Sequence, residues 1–409
     1  MNLNSTLRYL GVASMLTASS ASRAQALNSP GSTEHIGERF TDLLARLDTE
    51  KDSTSKRTIV ESYLASVKSY GRPVIEDTTV YFIYGGTARR VGVASDLNGW
   101  SDSSDTMKRV DGTNFFYLPK SVNEAARFEY KLMVDSIWIL DPMNKQQSFG
   151  GYGPNSEIWM PHYRPPKEIE YRPDIPHGTL DSLKFRSKLL GRSHPVYIYT
   201  PPRYKQSRKK YPSIYVTDGG EYISLGLMLN VLDNLLADKR IEPVIGIFID
   251  PRTDGREART STRMFDYSLS DTFVNAVVTE LRPRLLKQYR LATTPEQTGI
   301  MGASLGGLIS TYAAYTHPEI FGLCGSQSPA YWWKERGIFK LIECGPKKQI
   351  KFYIDTGTIR DARVEASQMR ELLLAKGYEV KYGEYPEGHN WVNWRARLSD
   401  ILTYFWGRK

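Results

Sequence analysis

The stretch Thr298-Gly299-Ile300-Met301-Gly302-Ala303-Ser304-Leu305-Gly306-Gly307 sets strand-like residues, a glycine-flanked serine and the start of a helical pattern in immediate succession. Glycine at 302 and 306 suits a backbone that doubles back sharply from strand to helix, because a side chain there would collide with the turn. Such a bend lifts the Ser304 hydroxyl clear of a sheet. It also aims the Leu305 N–H outward from a helix N-terminus, where developing negative charge is favoured. Ser304 is therefore the candidate nucleophile, and Leu305 a candidate oxyanion donor.

The surroundings agree with that bend. Strand-like runs at 196–200, 213–217, 244–249, 298–301, 352–354 and 380–385 alternate with helical patterns at 271–288, 305–316, 363–376 and 394–405. Alternation of this kind predicts an α/β fold around a mostly parallel sheet. A serine hydroxyl needs a base, which in this fold comes last in chain order. His389 stands in Pro386-Glu387-Gly388-His389-Asn390-Trp391, directly after the last expected strand, whereas His35, His162, His177 and His194 precede the serine. The acid that orients the imidazole is expected after 352–354, with Asp361, Asp355 and Glu365 as candidates. Asp361 fits best, in a loop just before a helix. A second oxyanion donor is expected from Asp218-Gly219-Gly220-Glu221-Tyr222, where Gly219 or Gly220 lets a backbone amide approach a substrate.

Upstream the pattern changes twice. Residues 1–26 carry Arg8, an apolar stretch and Ala24-Gln25-Ala26, the order of a cleavable export leader, which places the protein in the periplasm or outside the cell. Apolar residues at three- and four-residue steps make 27–75 a helical segment. Short β runs between turns make 76–165 a small antiparallel sandwich. Five prolines between 161 and 176 mark a stiff linker over 166–184, and 185–409 is the catalytic region. No apolar run reaches the roughly 18–20 residues that span a membrane, so no integral span is expected. The net charge of +9 is scattered and unaccompanied by a nucleic-acid-binding signature, which argues against that partner. Cys324 and Cys344 form no C-x-x-C pair, and the histidines show no zinc spacing, so no metal or organic cofactor is implied.

D-G-G-E-Y, M-G-A-S-L-G-G-L, S-Q-S-P-A-Y-W-W and P-E-G-H-N-W-V-N-W-R together resemble the esterase D type of α/β hydrolases, and within them the enterochelin esterases. That resemblance implies an α/β-hydrolase domain cleaving esters with Ser304, His389 and Asp361. The substrate it implies is a small-molecule or polysaccharide-linked ester, a ferric catecholate siderophore above all. Feruloyl and acetyl-xylan esterases are the rival reading; a non-catalytic carbohydrate-binding protein is a remote one. Glu221, Tyr222, Arg256, Trp332, Trp333 and Trp391 flank the motifs as candidate substrate contacts, and Arg259 and Arg263 extend the basic loop around Arg256. D-L-N-G-W and F-E-Y-K-L-M-V-D-S-I-W resemble a glycogen-binding-type β-sandwich of immunoglobulin-like (E-set) form. In that family the sugar-binding positions correspond to Trp100, Lys131, Trp138 and Asn155 here.

Overall fold

The protein was analysed as a computed structural model, which describes residues 37–151, 153–253 and 261–408. The leader-like residues 1–26, together with Arg256 and Arg259, lie outside the described residues. Two helices come first, Phe40–Thr49 and Ser53–Tyr70. Asp52 caps the second by accepting from Ser55 N–H at 2.7 Å, and Gly71 ends it in the left-handed region.

Nine short strands follow: β1 (Val74–Glu76), β2 (Thr79–Gly85), β3 (Val91–Ser95), β4 (Lys108–Arg109), β5 (Phe115–Ser121), β6 (Arg127–Val134), β7 (Ile137–Ile139), β8 (Gln147–Gly150) and β9 (Gly153–Trp159). They form two antiparallel sheets, β1-β2-β5-β4 and β3-β6-β9-β8, with β7 paired to β6. Alternation along β2 explains how they stack. Val80 and Phe82 point toward the second sheet and join Val93, Phe128, Tyr130 and Leu132 in one core, with Phe82 and Tyr130 ring to ring at 4.9 Å. Ile83 points the other way and packs under Phe40, Leu43, Tyr63 and Val67 of the two helices. The helices thus cover a sheet face that would otherwise lie bare.

The catalytic region holds one sheet of eight strands: β10 (Thr179–Ser187), β11 (Arg192–Thr200), β12 (Ser213–Val216), β13 (Ile245–Ile249), β14 (Thr298–Ala303), β15 (Leu323–Gln327), β16 (Lys351–Gly357) and β17 (Glu379–Tyr385). Their order is β10-β11-β13-β12-β14-β15-β16-β17, and β12 to β17 run parallel. β10 begins inside the segment read as a linker. Its first residues, exposed and partly polar, pair antiparallel with β11 at the sheet edge, which is why no buried-strand pattern announced it. Helices bury both faces: Tyr215 and Ile300 point into one core, Ile214, Val216 and Met301 into the other. β12 has β13 on one side and β14 on the other, so the strand order reverses there, the place where open α/β sheets open a crevice at their carboxyl ends.

A polar seam joins the two parts. Arg127 N–H donates to Pro386 O at 3.0 Å, and its guanidinium, wholly buried, holds Glu157 (Nε to Oε2, 2.9 Å), Glu129 (Nη1 to Oε1, 2.8 Å) and Asn390 Oδ1 (3.1 Å). Replacing Arg127 with Met would leave two carboxylates buried without their cation. A loss of about 3–5 kcal/mol is expected, read from urea unfolding of wild type and variant; equal stabilities would mean that water compensates the seam.

Candidate active site

Ser304 follows directly on β14 with φ 58° and ψ −121°, and the helix Leu305–Thr316 starts at the next residue. A Cβ on Gly302 would fall 2.0 Å from Thr217 Oγ1 and 2.6 Å from the Gly306 backbone; one on Gly306 would meet the same hydroxyl at 2.5 Å. Both glycines are thus required by contact as well as by the turn. Ser304 N–H donates to Gln327 O at 2.9 Å, while Ser304 O accepts from Leu308 and Ala330 N–H. Leu308 makes the first helical bond, so the Leu305 N–H is among the amides that the helix leaves over.

The loop after β12 supplies a second such terminus. Glu221 and Tyr222 N–H both donate to Asp218 O at 3.0 Å, which leaves the amides of Gly219 and Gly220 over. Asp218 takes φ 54° and is buried. Arg263 forks onto its carboxylate (Nε to Oδ1, 2.8 Å; Nη2 to Oδ2, 3.0 Å) and also donates to Ala303 O at 3.0 Å. One guanidinium therefore clamps the glycine loop to the residue before the serine. Arg263, expected from its basic loop as an anion contact, is committed to this clamp instead.

The imidazole and its acid meet beyond β16 and β17. Pairing of Ala303 with Gln327, Gln327 with Asp355 and Asp355 with Gly383 sets these strand ends side by side, so the loops that follow converge on one edge. His389 Nδ1 and Asp361 Oδ1 lie 2.6 Å apart. Asp361 Oδ2 accepts from Ser328 Oγ and from Gly357 N–H, both at 2.6 Å. Ser328 in turn accepts from Trp394 Nε1 at 2.9 Å, and the Trp394 ring meets the His389 ring edge to face at 5.0 Å. Burial alone would raise the Asp361 pKa; the bond from His389, its charge and these further donors outweigh it and hold the carboxyl below its usual range. Asp355 is the opposite case. Burial pushes it well above the usual range despite Arg397 and the bond from Gln327, and its Oδ1 has no partner among the described residues.

The residues before β17 reach this edge too. Asp96 Oδ2 accepts from Asn390 Nδ2 at 3.1 Å and from Glu129 N–H at 2.9 Å, while Oδ1 accepts from the Trp100 indole at 3.0 Å. Arg127 holds the other end of the same Asn390 amide, so an acid and a base from the β-sheets clamp the neighbour of His389. Burial, reinforced by Glu129, pushes Asp96 up to about 6.

Other expected contacts sort by environment. Tyr222 is fully buried and donates to Gln327 Oε1 at 2.9 Å, and Trp391 is buried against it, rings 5.0 Å apart. Both are buried in the core, packed edge to face against each other. Trp332 is 53% exposed and Trp333, half-buried, packs beside it. Glu221 is partly buried near Gly151, with a carboxyl that burial and the charge of Asp218 push up to about 7. Asn155 donates to Glu129 Oε2 at 2.7 Å. Cys324 is buried and Cys344 exposed, and both are free thiols. Sequence reasoning missed the supporting roles of Ser328, Asn390, Asp96 and Arg127. Ser328 in S-Q-S-P-A-Y-W-W, Asn390 in P-E-G-H-N-W and Asp96 at the head of D-L-N-G-W stand in motifs visible in sequence, but the contacts that join Asp96 and Arg127 to Asn390 run across about 260 to 290 residues of chain.

The family model described as "Putative esterase" matches residues 187–405. An iron(III) enterobactin esterase of Dickeya dadantii (strain 3937) is 23% identical over 368 residues, covering 75% of this chain and 81% of that protein. Its namesake from Escherichia coli (strain K12) is 25% identical over 340 residues, covering 74% and 82%. The enterobactin esterase of Shigella flexneri, crystallised in the presence of enterobactin, superposes with a TM-score of 0.69 at 22% identity, over 84% of this chain and 97% of that one. That structure speaks for a shared fold.

Asp361→Asn is expected to lower kcat by roughly 10³–10⁴-fold, because the amide cannot select the imidazole tautomer in the same way; Asp355→Asn should cost far less, and steady-state kinetics on one simple ester ranks them. Asp96 sets a pH dependence. Its folded pKa of about 6 lies above the ~3.9 of a free aspartate, so the native state holds the proton more tightly and stability falls as pH rises from about 4 to 6, then levels. Across that window wild type should lose about 2–3 kcal/mol relative to Asp96→Asn, measured as unfolding free energy at each pH.

Proposed function

The chain belongs to the esterase family and is a carboxylic ester hydrolase, and from that premise we propose that it opens the ester bonds of a ferric catecholate siderophore through Ser304, His389 and Asp361. What carries the reading is the 2.6 Å bond between Asp361 Oδ1 and His389 Nδ1. With that nitrogen donating to a carboxylate held ionised, the lone pair sits on Nε2, the atom that must accept a proton from serine.

In this mechanism Nε2 takes the Ser304 proton as Oγ bonds to the ester carbonyl carbon. The negative charge moves to the carbonyl oxygen, where the Leu305 and Gly219 N–H groups receive it. Collapse breaks the bond to the alkoxy oxygen, which leaves with the proton from Nε2. Water then attacks the acyl-serine, giving one proton to Nε2, and the carboxylic acid departs as that proton returns to Oγ. Asp361 stays ionised and stabilises the imidazolium formed at both stages. The fork of Arg263 supports the arrangement by fixing the spacing of the two amide termini.

The substrate follows from the relatives named above, two of which are iron(III) enterobactin esterases matched over three quarters of this chain. Iron would enter as part of that substrate. Within the proposal the enzyme is periplasmic or secreted, on the strength of the leader-like residues 1–26. Ser304→Ala is expected to lower hydrolysis of p-nitrophenyl acetate by about 10⁴-fold or more. Wild type should cleave ferric enterobactin in preference to methyl ferulate and acetylated xylan in parallel assays; a preference for either of the latter two would replace the siderophore reading with a carbohydrate-esterase one.

A further inference from the structure

Strand pairing sorts the side chains of the second β-sheet cleanly. Phe128, Tyr130 and Leu132 of β6 face the inner core, so Arg127, Glu129, Lys131 and Met133 share the outer face. Trp138 pairs with Met133, Glu157 with Glu129 and Ala94 with Lys131, and partners across a ladder share a face. At one end this outer face is buried against residues 386–390, through Arg127 and Glu129. The face that carries Lys131, Trp138 and Asn155 is therefore turned toward the loop of His389. Asn155, the neutral hydrogen-bonding group of that set, is already engaged by Glu129.

What remains open on the face is aromatic and cationic. The rings of Trp100 and Trp138 are nearly parallel, 10° between planes and 6.3 Å between centroids, and Trp138 is 44% exposed. Trp100 takes φ 61°, a left-handed conformation that a bulky residue adopts at a cost, and its indole N–H is tied to Asp96, which holds Asn390 beside His389. Across the seam Arg360, the residue before Asp361, is exposed at φ 46°, and a Cβ on Gly99 would stand 3.0 Å from its Nε. Arg360 has no ion-pair partner among the described residues. Two residues in left-handed backbone conformations thus come to the edge of the site, Arg360 lying against Gly99, the neighbour of Trp100; one brings an indole and the other a guanidinium without an ion-pair partner among the described residues.

We propose that Trp100, Trp138 and Arg360 form a subsite for an anionic aryl group carried by the ester substrate. The chemistry is complementary: indole faces stack on a planar ring, and the guanidinium meets its negative oxygens. Placement beside the loops of Asp361 and His389 ties the subsite to ester cleavage, and Asn155, one of the hydrogen-bonding groups a sugar platform would use, is already engaged by Glu129. The inference deepens the siderophore reading and rests on it for the identity of the ring, a catecholate.

The test reads inhibition, so it does not require the probe to be cleaved. The gallium(III) complex of N-(2,3-dihydroxybenzoyl)serine, in which the metal keeps the catechol ionised, is titrated into p-nitrophenyl acetate hydrolysis by wild type, Trp138→Ala and Arg360→Gln, with maltoheptaose as a parallel competitor. Competitive inhibition by the aryl acid, with Ki raised about tenfold in each variant, is the expected result. An inhibition constant that neither variant moves, no inhibition of wild type, or inhibition by the maltooligosaccharide alone would each overturn the subsite. Whether wild type hydrolyses ferric enterobactin is scored separately, so failure of that substrate and failure of the subsite remain distinguishable.

Discussion

A serine held at φ 58° and ψ −121° between a buried strand and a helix is a conformation that a chain adopts only where its neighbours leave it no alternative. Here the neighbours are specific. Thr217 Oγ1 occupies the space that side chains at 302 and 306 would need, and Gln327 and Ala330 hold the Ser304 backbone from the adjoining strand and loop. The strain is repaid in position, because the bend leaves the hydroxyl at the head of a helix and the Leu305 amide over. Everything else at the site, from the Arg263 clamp to the imidazole loop, is arranged around that fixed point.

Asp355 and Asp361 lie six residues apart yet are driven in opposite directions. Asp355 lies within β16, fully buried, with one weak donor at 3.2 Å, so burial dominates and favours its neutral form. Asp361 sits past the strand end, where backbone amides, the Ser328 hydroxyl and the imidazole all donate to it, and the charged form wins. A group can orient a protonated imidazole only if it remains ionised itself, and that requirement separates the two aspartates by environment, since their chemistry is the same.

The β-sheets before the catalytic region belong to the same device. Asn390 has an amide whose two ends are fixed by opposite charges, Arg127 of β6 on the oxygen and Asp96, in the turn after β3, on the nitrogen. A Cβ on Gly388 would stand 2.7 Å from Asp96 Cγ, so the loop lies directly on that carboxylate. Such a buried polar network is costly unless every member is satisfied. It fixes the histidine loop against a surface that the catalytic sheet does not supply.

Some of this was written in the chain locally. The helix ending at Gly71, the alternation of strand and helix after residue 190, and the glycine-flanked serine are short-range patterns, each determined by residues within a few positions of one another. The order serine, acid, histidine could likewise be read along the chain. Its place in a loop before a helix already favoured Asp361 over Asp355 in sequence; the side chains that keep it ionised converge only where β14, β15 and β16 end side by side. Tyr222 and Trp391 looked like ligand contacts in sequence and proved to fill each other's space. Asp96 and Asn390 stand in motifs visible in sequence, but nothing local pairs them with each other or with Arg127. Local backbone geometry is encoded by neighbouring residues, so the sequence alone determined the elements and the candidate nucleophile; burial and hydrogen bonding across hundreds of residues exist only once the sheets pack, so tertiary structure alone gave Asp361 and Asp355 opposite environments and joined Arg127 and Asp96 to Asn390.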